Sequence, residues 1–433
     1  MLVPIVAAGG QAVSTNGPAT NPRLPEARLE EARGLTEAID LHIVHDAVVP
    51  LNRPQAGTLI GKGKIAEISR VVADNSIEVV VVDHPLTPVQ QRNLENAFQA
   101  KVLDRTGLIL EIFGERARTK EGRLQVDLAH LNYQRGRLVR SWTHLERQRG
   151  GAGFLGGPGE TQIEADRRIL RDKIVRLKRE LETVRRTRTL HRSKRKKVPY
   201  PVVAIVGYTN AGKSTLFNRL TGSEVMAKDM LFATLDPTLR RLKLPHGQTI
   251  ILSDTVGFIS DLPTHLVAAF RATLEEVVEA DLVLHVRDMS DPDFAAQAGD
   301  VEQILSDLGI DPHNEKRVLE VWNKADLVNS DFETTILDQR KVAGGNAPVV
   351  ISAMKGDGID VLRERIEFLI SGETSELIVH LDASELRLTD WLYRHSDIKE
   401  RNDRADGGTD FVLRASADTK SEIEKRLGRP IAD

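Results

Sequence analysis

The feature that most constrains this chain is an apolar run that leads into a glycine-rich loop. Residues 202–206 predict a buried strand, and the pattern Gly207-x4-Gly212-Lys213-Ser214 follows it at the start of a predicted helix. A phosphate group needs backbone N–H donors at a helix N-terminus, and glycine lets that backbone approach closely. A glycine turn that opens an ordinary helix is the alternative, but the flanking strand and helix favour a phosphate-binding P-loop.

Two further motifs predict the rest of a nucleotide site. A second apolar strand ends in Asp254-Thr-Val-Gly257, where the carboxylate would hold a metal through water and the glycine N–H would sense the γ-phosphate. A third strand ends in Asn323-Lys-Ala-Asp326. Guanine offers two N–H donors that one carboxylate can accept as a pair, and adenine does not. Asp326 therefore predicts selection of guanine, with Asn323 on the other edge of the base.

These motifs assign roles to individual residues. Lys213 is predicted to reach the β- and γ-phosphates, and the Ser214 hydroxyl to ligate Mg²⁺. Thr234 or Thr238 should add a ligand, because switch loops of this kind close a threonine over the metal, and we choose Thr234. We thus predict catalytic roles for Lys213, Thr234, Asp254 and Gly257, and Mg²⁺ ligation by Ser214 and Thr234. The predicted GTP contacts are Gly207, Tyr208, Thr209, Asn210, Ala211, Gly212, Lys213, Ser214, Thr215, Phe232, Ala233, Thr234, Leu235, Asp236, Asp254, Thr255, Val256, Gly257, Asn323, Lys324, Ala325, Asp326, Ser352, Ala353 and Met354.

The composition limits other kinds of chemistry. The 433 residues include no cysteine, so the sequence excludes disulfides, thiolate nucleophiles and cysteine metal sites, and it fits a reducing compartment. The apolar start of the chain is short and lacks the basic flank of a secretory signal. No apolar run approaches the roughly 18 residues that a membrane span needs. We expect a cytoplasmic protein.

The region before the P-loop alternates between strand-like and helical patterns. We expect a poorly structured segment at residues 1–35 and then an α/β subdomain at residues 36–122. The near-continuous valine and isoleucine runs favour a parallel sheet. The predicted strands lie at 41–45, 77–82 and 108–113, and the predicted helices at 64–73 and 88–100.

Residues 123–199 show a sustained helical period with one break. Apolar residues recur at alternating spacings of three and four from Leu124 to Leu145, and again from Leu170 to Val184, as in a coiled-coil seam. A glycine-rich run from Gly150 to Gly159 must interrupt the helix. We predict an antiparallel helical hairpin with a glycine-rich tip.

This hairpin concentrates positive charge. The formal net charge of the chain is -3, yet residues 116–197 contain 24 Lys and Arg against 9 Asp and Glu. Charge runs on helices are usually solvated faces, but here the excess covers both arms and few aromatic residues interrupt it. Recognition of folded RNA through its backbone is therefore the better interpretation. The candidate RNA contacts are Arg185, Arg186, Arg188, Arg192, Lys194, Arg195, Lys196 and Lys197.

The remaining chain divides into two parts. Residues 200–372 hold the nucleotide motifs and predict a P-loop GTPase domain on a mainly parallel, doubly wound sheet, so the fold class is α/β. Residues 373–433 predict a small α+β domain without identifiable chemistry. Its strand-like runs lie at 377–381 and 411–415, and its helical runs at 384–395 and 419–427.

Outside the nucleotide motifs, several long runs resemble one protein family. They are Gly61-Lys-Gly-Lys64, Leu86-Thr-Pro-Val-Gln-Gln-Arg-Asn-Leu-Glu95, Val102-Leu-Asp-Arg-Thr-Gly-Leu-Ile-Leu110, Phe113-Gly-Glu-Arg-Ala-Arg-Thr119, Gly157-Pro-Gly-Glu-Thr-Gln-Ile-Glu-Ala-Asp-Arg-Arg168 and Asp229-Met-Leu-Phe-Ala-Thr-Leu-Asp-Pro-Thr238. On these runs, the chain from about residue 57 to residue 372 resembles the HflX family, in the Obg/HflX branch of P-loop GTPases.

The resemblance implies a cytosolic GTPase that binds the large ribosomal subunit and its rRNA, with the N-terminal domain and hairpin facing the ribosome. It also implies splitting or rescue of stalled ribosomes under stress, and we expect a monomer away from the ribosome. One alternative is a large-subunit assembly factor, or an RNA-binding GTP switch without splitting activity. An RNA-modifying GTPase would need a second reactive centre, and the sequence offers none.

Two residues near the predicted phosphate site bear on the rate of hydrolysis. Phe258 stands where Ras-like GTPases place the glutamine that orients the attacking water. We therefore predict slow intrinsic hydrolysis, which a rearranged switch or the ribosome would stimulate by roughly 10³–10⁵-fold. Similar GTPases with an asparagine at the position of Asn210 coordinate K⁺ beside the phosphates. The alternative is that asparagine stands there because it tolerates unusual backbone angles.

Overall fold

The computed structural model describes residues 1–6, 24–148, 158–195, 200–222, 232, 238–260, 271–328, 347–372 and 374–431. These residues form three sheets with their helices, and one long helical hairpin. None of the described helices is long and apolar enough to cross a membrane.

The first sheet has four parallel strands in the order β2-β1-β3-β4. The strands are β1 (Leu2–Val6), β2 (Ala47–Leu51), β3 (Val79–Val82) and β4 (Lys101–Asp104). The helices are α1 (Pro25–Glu37), α2 (Lys62–Asp74), α3 (Pro88–Phe98) and α4 (Arg105–Arg116). The Thr87 side chain caps α3, because its oxygen accepts the Gln90 N–H while the Gln90 side chain accepts the Thr87 N–H.

Two of the three predicted strands in this subdomain are wrong. Residues 41–45 are not a strand, and the strand begins at Ala47, where an edge position tolerates Pro50. Residues 108–113 belong to α4, whose apolar side chains are almost completely buried. A short continuous apolar run cannot be assigned to strand or helix by periodicity alone. The Asp104 carboxylate favours the helix, because it accepts the Gly107 N–H at 2.8 Å and so caps the N-terminus of α4.

The prediction that residues 1–35 lack structure is wrong at both ends of that segment. Residues Leu2–Val6 form a strand between β2 and β3, and a helix begins at Pro25. The strand β1 pairs with residues more than forty positions away, so no local turn signal announces it. Residues 7–23 lie outside the described residues.

The helical hairpin consists of α5 (Lys120–Gln148) and α6 (Pro158–Arg195). On the described part of the seam, Leu124, Ile174 and Leu181 are buried, and most neighbours of the two α6 residues are exposed. Residues 127–134 of α5 and 173–180 of α6 line one groove. Both segments lie about equally far from the short connection between the two helices, so the arms run antiparallel. The glycine-rich tip at 149–157 lies outside the described residues.

The second sheet has six strands in the order β10-β9-β8-β5-β7-β6, and all neighbours are parallel except β6 and β7. Its strands are β5 (Val202–Gly207), β6 (Thr238–Lys243), β7 (Thr249–Asp254), β8 (Leu282–Asp288), β9 (Val318–Asn323) and β10 (Val349–Val350). The described helices beside it are α7 (Lys213–Thr221), α8 (Arg271–Val278), α9 (Phe294–Asp307) and α10 (Ile359–Ser371). The predicted P-loop fold with a mainly parallel sheet is confirmed.

The third sheet is antiparallel, with the order β11-β13-β12. Its elements are β11 (Thr374–Leu381), α11 (Thr389–His395), β12 (Asp397–Asp403), β13 (Thr409–Ser416) and α12 (Ala417–Leu427). The predicted α+β character is confirmed, but the sequence did not predict β12. That strand is polar and mostly exposed at the sheet edge, so it lacks an alternating apolar face.

Candidate functional site

The nucleotide motifs meet because of the order of the strands in the second sheet. In a parallel sheet, the carboxyl ends of all strands lie at one edge, and a crevice forms where the strand order reverses. Gly207 ends β5, Asp254 ends β7 and Asn323 ends β9. The fold therefore brings the three motifs to one edge of the sheet, although more than one hundred residues separate the first from the last.

The P-loop glycines leave no room for a side chain. Gly207 has φ +153°, and a Cβ there would lie 2.1 Å from the Val286 carbonyl oxygen. Gly212 has φ +87°, and a Cβ there would lie 2.2 Å from Asn323 Nδ2. Helix α7 begins directly after Gly212, so its N-terminal N–H groups lie at the loop. This is the arrangement that binds phosphate.

Lys213 lies at the centre of this loop, only 7% exposed. Its ammonium group donates to the Tyr208 carbonyl oxygen at 2.6 Å. Burial lowers the pKa of Lys213 to about 8, while the Asp254 carboxylate acts in the opposite direction. A phosphate beside the ammonium group would favour its charged form, so the site is electrostatically suited to an anion.

The donor set beside Lys213 suits a small hard cation. The Ser214 hydroxyl donates to Asp254 Oδ2 at 2.8 Å, and Asp254 is completely buried. Hydroxyl and carboxylate oxygens are ligands that Mg²⁺ accepts. A Cβ on Gly257 would lie 3.0 Å from Lys213 Nζ and 2.9 Å from Thr209 Cγ2, so only glycine keeps this cradle open. These residues fit the predicted Mg²⁺ and γ-phosphate positions.

The guanine motif ties three loops together. Asn323 Nδ2 donates to the Ala211 carbonyl oxygen at 2.9 Å, and Asn323 Oδ1 accepts the Ala353 N–H at 3.0 Å. Asn323 thus braces the P-loop against the segment from Ser352 to Met354. Asp326 Oδ1 accepts the Ser352 hydroxyl at 2.7 Å, which orients the carboxylate. The Lys324 ammonium group lies 2.7 Å from Asp288 Oδ2.

Several residues predicted to contact the nucleotide are instead buried or bonded within the protein. Thr255 donates its hydroxyl to the Ile205 carbonyl oxygen at 2.6 Å, and Val256 is buried in the core. Phe232 is also buried, with its ring 4.7 Å from that of Phe113 on α4. Thr238 opens β6 opposite Asp254. The predicted residues Ala233, Thr234, Leu235 and Asp236 lie outside the described residues.

The candidate RNA contacts lie at the end of α6. Arg186 is exposed, and its Nε lies 3.3 Å from Glu182 Oε1. Arg185, Arg188, Arg192, Lys194 and Arg195 are on the described helix, but their side chains are not described. Lys196 and Lys197 lie outside the described residues.

A buried polar network behind the P-loop was not predicted from the sequence. The Tyr208 hydroxyl donates to Glu31 Oε2 and accepts the Ser260 N–H at 3.0 Å. Arg105 donates to Asp83, to Glu31 and to Ser260. Burial opposes the charge of Arg105, but the Asp83 and Glu31 carboxylates outweigh it and raise the pKa of the guanidinium. These residues come from distant parts of the chain, so no sequence motif joins them.

Comparison with known proteins covers nearly the whole chain. Family models match as GTP-binding GTPase N-terminal at 26–114, GTP-binding GTPase Middle Region at 116–195, 50S ribosome-binding GTPase at 202–324, and HflX C-terminal domain at 335–432.

Two relatives are more than 40% identical to this chain over most of both lengths. The GTPase HflX of Magnetococcus marinus is 47% identical over 389 residues, which are 90% of this chain and 88% of that protein. The GTPase HflX of Escherichia coli is 44% identical over 386 residues, 89% of each chain. A solved GTP-binding protein from Sulfolobus solfataricus in complex with GDP is 26% identical, with a TM-score of 0.45, over 79% of this chain and 94% of that one.

Proposed function

Since this chain belongs to the HflX family of GTPases and is therefore a GTP-hydrolysing enzyme, we propose that it binds the large ribosomal subunit in its GTP-bound state and acts in translation. The observation that carries the proposal is the strongly basic hairpin, which is attached to the same body as the nucleotide site. The match of residues 202–324 to a 50S ribosome-binding GTPase model supports it.

The residues at the carboxyl edge of the second sheet have separate roles in GTP binding and hydrolysis. The P-loop N–H groups and the Lys213 ammonium group hold the phosphates, and Asp326 accepts the guanine N–H groups. Ser214 and Thr234 would hold Mg²⁺ directly and Asp254 would hold it through water, and the metal would supply neutralisation of the phosphate charge. Charge stabilisation and positioning account for most phosphoryl-transfer catalysis, so this set supports binding and a basal reaction.

The group that orients the attacking water must come from elsewhere. Phe258 is buried, its N–H donates to the Gly207 carbonyl oxygen at 3.0 Å, and its carbonyl oxygen accepts the Thr209 N–H at 2.7 Å. An apolar ring fixed against the P-loop in this way cannot orient water. Intrinsic turnover is slow in our proposal, and the bound ribosome stimulates it by roughly 10³–10⁵-fold. Equal turnover with and without ribosomes would refute this point.

Asn210 is the second position that bears on hydrolysis. It is exposed and has φ +61°, a left-handed conformation that asparagine tolerates better than most residues. Backbone conformation alone thus accounts for asparagine here, and coordination of K⁺ remains a proposal. Hydrolysis rates in matched Na⁺ and K⁺ buffers test this proposal, because equal rates would contradict a role for K⁺ in hydrolysis.

The finer part of the proposal is that binding splits stalled ribosomes in the cytoplasm and that the protein is a monomer when unbound. Light scattering of intact ribosomes mixed with the protein and a non-hydrolysable GTP analogue tests the splitting activity. A nucleotide-dependent fall in scattering supports it. Constant scattering, together with binding only to precursors of the large subunit, would favour an assembly factor instead.

A further inference from the structure

Three charged side chains meet in the interior at the carboxyl edge of the first sheet. Asp83 follows β3, Arg105 follows β4, and parallel pairing of these strands places both residues at the same edge. Helix α1 adds Glu31. Arg105 is 3% exposed, and its Nη1 donates to Asp83 Oδ1 while its Nη2 donates to Glu31 Oε1 at 2.6 Å.

The same guanidinium group reaches the nucleotide-binding domain. Arg105 Nη2 lies 3.1 Å from the Ser260 carbonyl oxygen and 3.0 Å from the Ser260 hydroxyl oxygen. Glu31 accepts the hydroxyl of Tyr208, which lies in the P-loop. Ser260 comes only three residues after Gly257, which lies against Lys213 at the predicted γ-phosphate position. A displacement of this segment by the nucleotide would therefore alter the contacts of Arg105.

The residue before Arg105 holds the helical hairpin. Asp104 Oδ1 accepts the Tyr133 hydroxyl at 2.5 Å, and Asp104 Oδ2 lies 2.8 Å from Arg137 Nη2. Asp104 is 2% exposed, and Tyr133 and Arg137 stack on successive turns of α5, with the guanidinium 4.3 Å from the ring centroid. Two consecutive residues thus contact the middle of α5 and the segment that follows Gly257.

We propose that Asp104 and Arg105 couple the position of the hairpin to the nucleotide state, by linking Tyr133 and Arg137 on one side to Ser260 and Tyr208 on the other. A planar guanidinium that satisfies several buried partners cannot follow one of them without losing another, so the network moves as a unit. The role of this coupling in ribosome stimulation rests on the proposed function. The coupling itself is a property of the isolated chain.

Reciprocity of coupled sites supplies a test that needs no ribosome. If hairpin position affects the nucleotide site, the nucleotide must affect the hairpin by the same factor, and couplings of this kind are typically roughly 5- to 150-fold. Hydrogen–deuterium exchange of the full chain is measured with GDP and with a non-hydrolysable GTP analogue. We expect protection at residues 126–137 to differ between the two nucleotides by about fivefold or more.

Conservative variants test which contacts couple the nucleotide site to the hairpin. Ser260→Ala removes one contact of Arg105, and Tyr133→Phe removes one contact of Asp104, so each should reduce the nucleotide-dependent difference at residues 126–137. The controls Ser306→Ala on α9 and Tyr393→Phe on α11 each remove a hydroxyl group of the same kind at a site outside the network. Both should leave the nucleotide-dependent difference unchanged. Equal melting temperatures establish that the variants are folded.

Two results would overturn the inference. One is equal protection of residues 126–137 with both nucleotides in the unmodified chain. The other is a nucleotide-dependent difference that Ser260→Ala and Tyr133→Phe both leave intact. Failure of the unmodified chain to bind ribosomes would refute the proposed function alone, because the exchange measurement does not involve ribosomes.

Discussion

At the scale of single residues, the choice of base depends on Asp326. Its carboxylate is oriented by the Ser352 hydroxyl, and it is the predicted acceptor for two guanine N–H groups. Hydrogen bonds to a charged group are worth about 1.5–3 kcal/mol each, so their loss should weaken binding by roughly 10²–10⁴-fold. Xanthine carries a carbonyl where guanine carries an amino group, and an asparagine amide can donate to it.

Asp326→Asn should therefore lower the affinity for GDP by roughly 10²–10⁴-fold and raise that for xanthosine diphosphate. Competition binding with the two nucleotides measures both changes. Asp360→Asn, at a carboxylate whose side chain is 91% exposed, is the matched control and should change neither affinity. Unchanged GDP affinity in Asp326→Asn would show that another group selects the base.

A second residue predicts how stability depends on pH. His285 lies on β8 and is 1% exposed, with carboxylate oxygens of Glu302 and Glu320 within 4.8 Å of its ring. Burial, aided by the Arg287 charge and opposed by Glu320, lowers the pKa of His285 below its ordinary value. Below a pH of about 6.5 the unfolded chain binds a proton that the folded chain does not. The free energy of unfolding should then decrease as the pH falls below about 6.5, by at most about 1.4 kcal/mol per pH unit from this group.

His285→Gln removes that titration and keeps a polar side chain. We expect a shallower loss of unfolding free energy between pH 7 and pH 5 than in the unmodified chain, measured by urea denaturation, because the variant has no proton to exchange at this position. His313→Gln, at an exposed histidine on a loop, controls for the loss of an imidazole. The same slope in His285→Gln and the unmodified chain would contradict the pKa assignment.

At the scale of elements, the hairpin carries the predicted interaction with RNA. Each neutralised phosphate contact contributes about 0.7–0.9 to the slope of log affinity against log salt. Replacing Arg192, Lys194, Arg195, Lys196 and Lys197 by glutamine should thus weaken ribosome binding and flatten its salt dependence by several units. The measurement is the binding constant at several KCl concentrations. The matched control replaces five exposed basic residues of the C-terminal domain by glutamine, namely Arg387, Lys399, Arg401, Lys425 and Arg426. An unchanged salt dependence would indicate that residues 192–197 are a solvated linker that does not contact RNA.

The elements also show what a single sequence can predict. The P-loop, the guanine motif and the heptad period are local patterns, so the sheet edge and the hairpin could be predicted from the sequence. Helix α4 resembles a strand in the sequence because residues 105–110 are buried on every side, so the apolar run shows no helical alternation with polar residues. Strand β1 and the network of Glu31, Arg105 and Ser260 depend on pairs of residues that are far apart in sequence, and no local signal marks such pairs.

At the scale of the whole molecule, one hydrophobic core extends from the N-terminal subdomain into the GTPase domain. It includes Leu35 and Phe113 on one side and Phe232, Val256 and Phe258 on the other. The segments predicted to respond to the γ-phosphate therefore pack on the subdomain that carries the hairpin. This continuity gives the proposed GTP-dependent interaction with RNA a physical basis.

The measurement that tests this account most directly is co-sedimentation of the full chain with separated ribosomal subunits and with intact ribosomes, in GDP, GTP and a non-hydrolysable GTP analogue. We predict binding to the large subunit that is strongest with the analogue and weakest with GDP, because hydrolysis should release the protein. Binding to no particle, or equal binding with every nucleotide, would contradict the claim that the GTP state controls attachment to the ribosome.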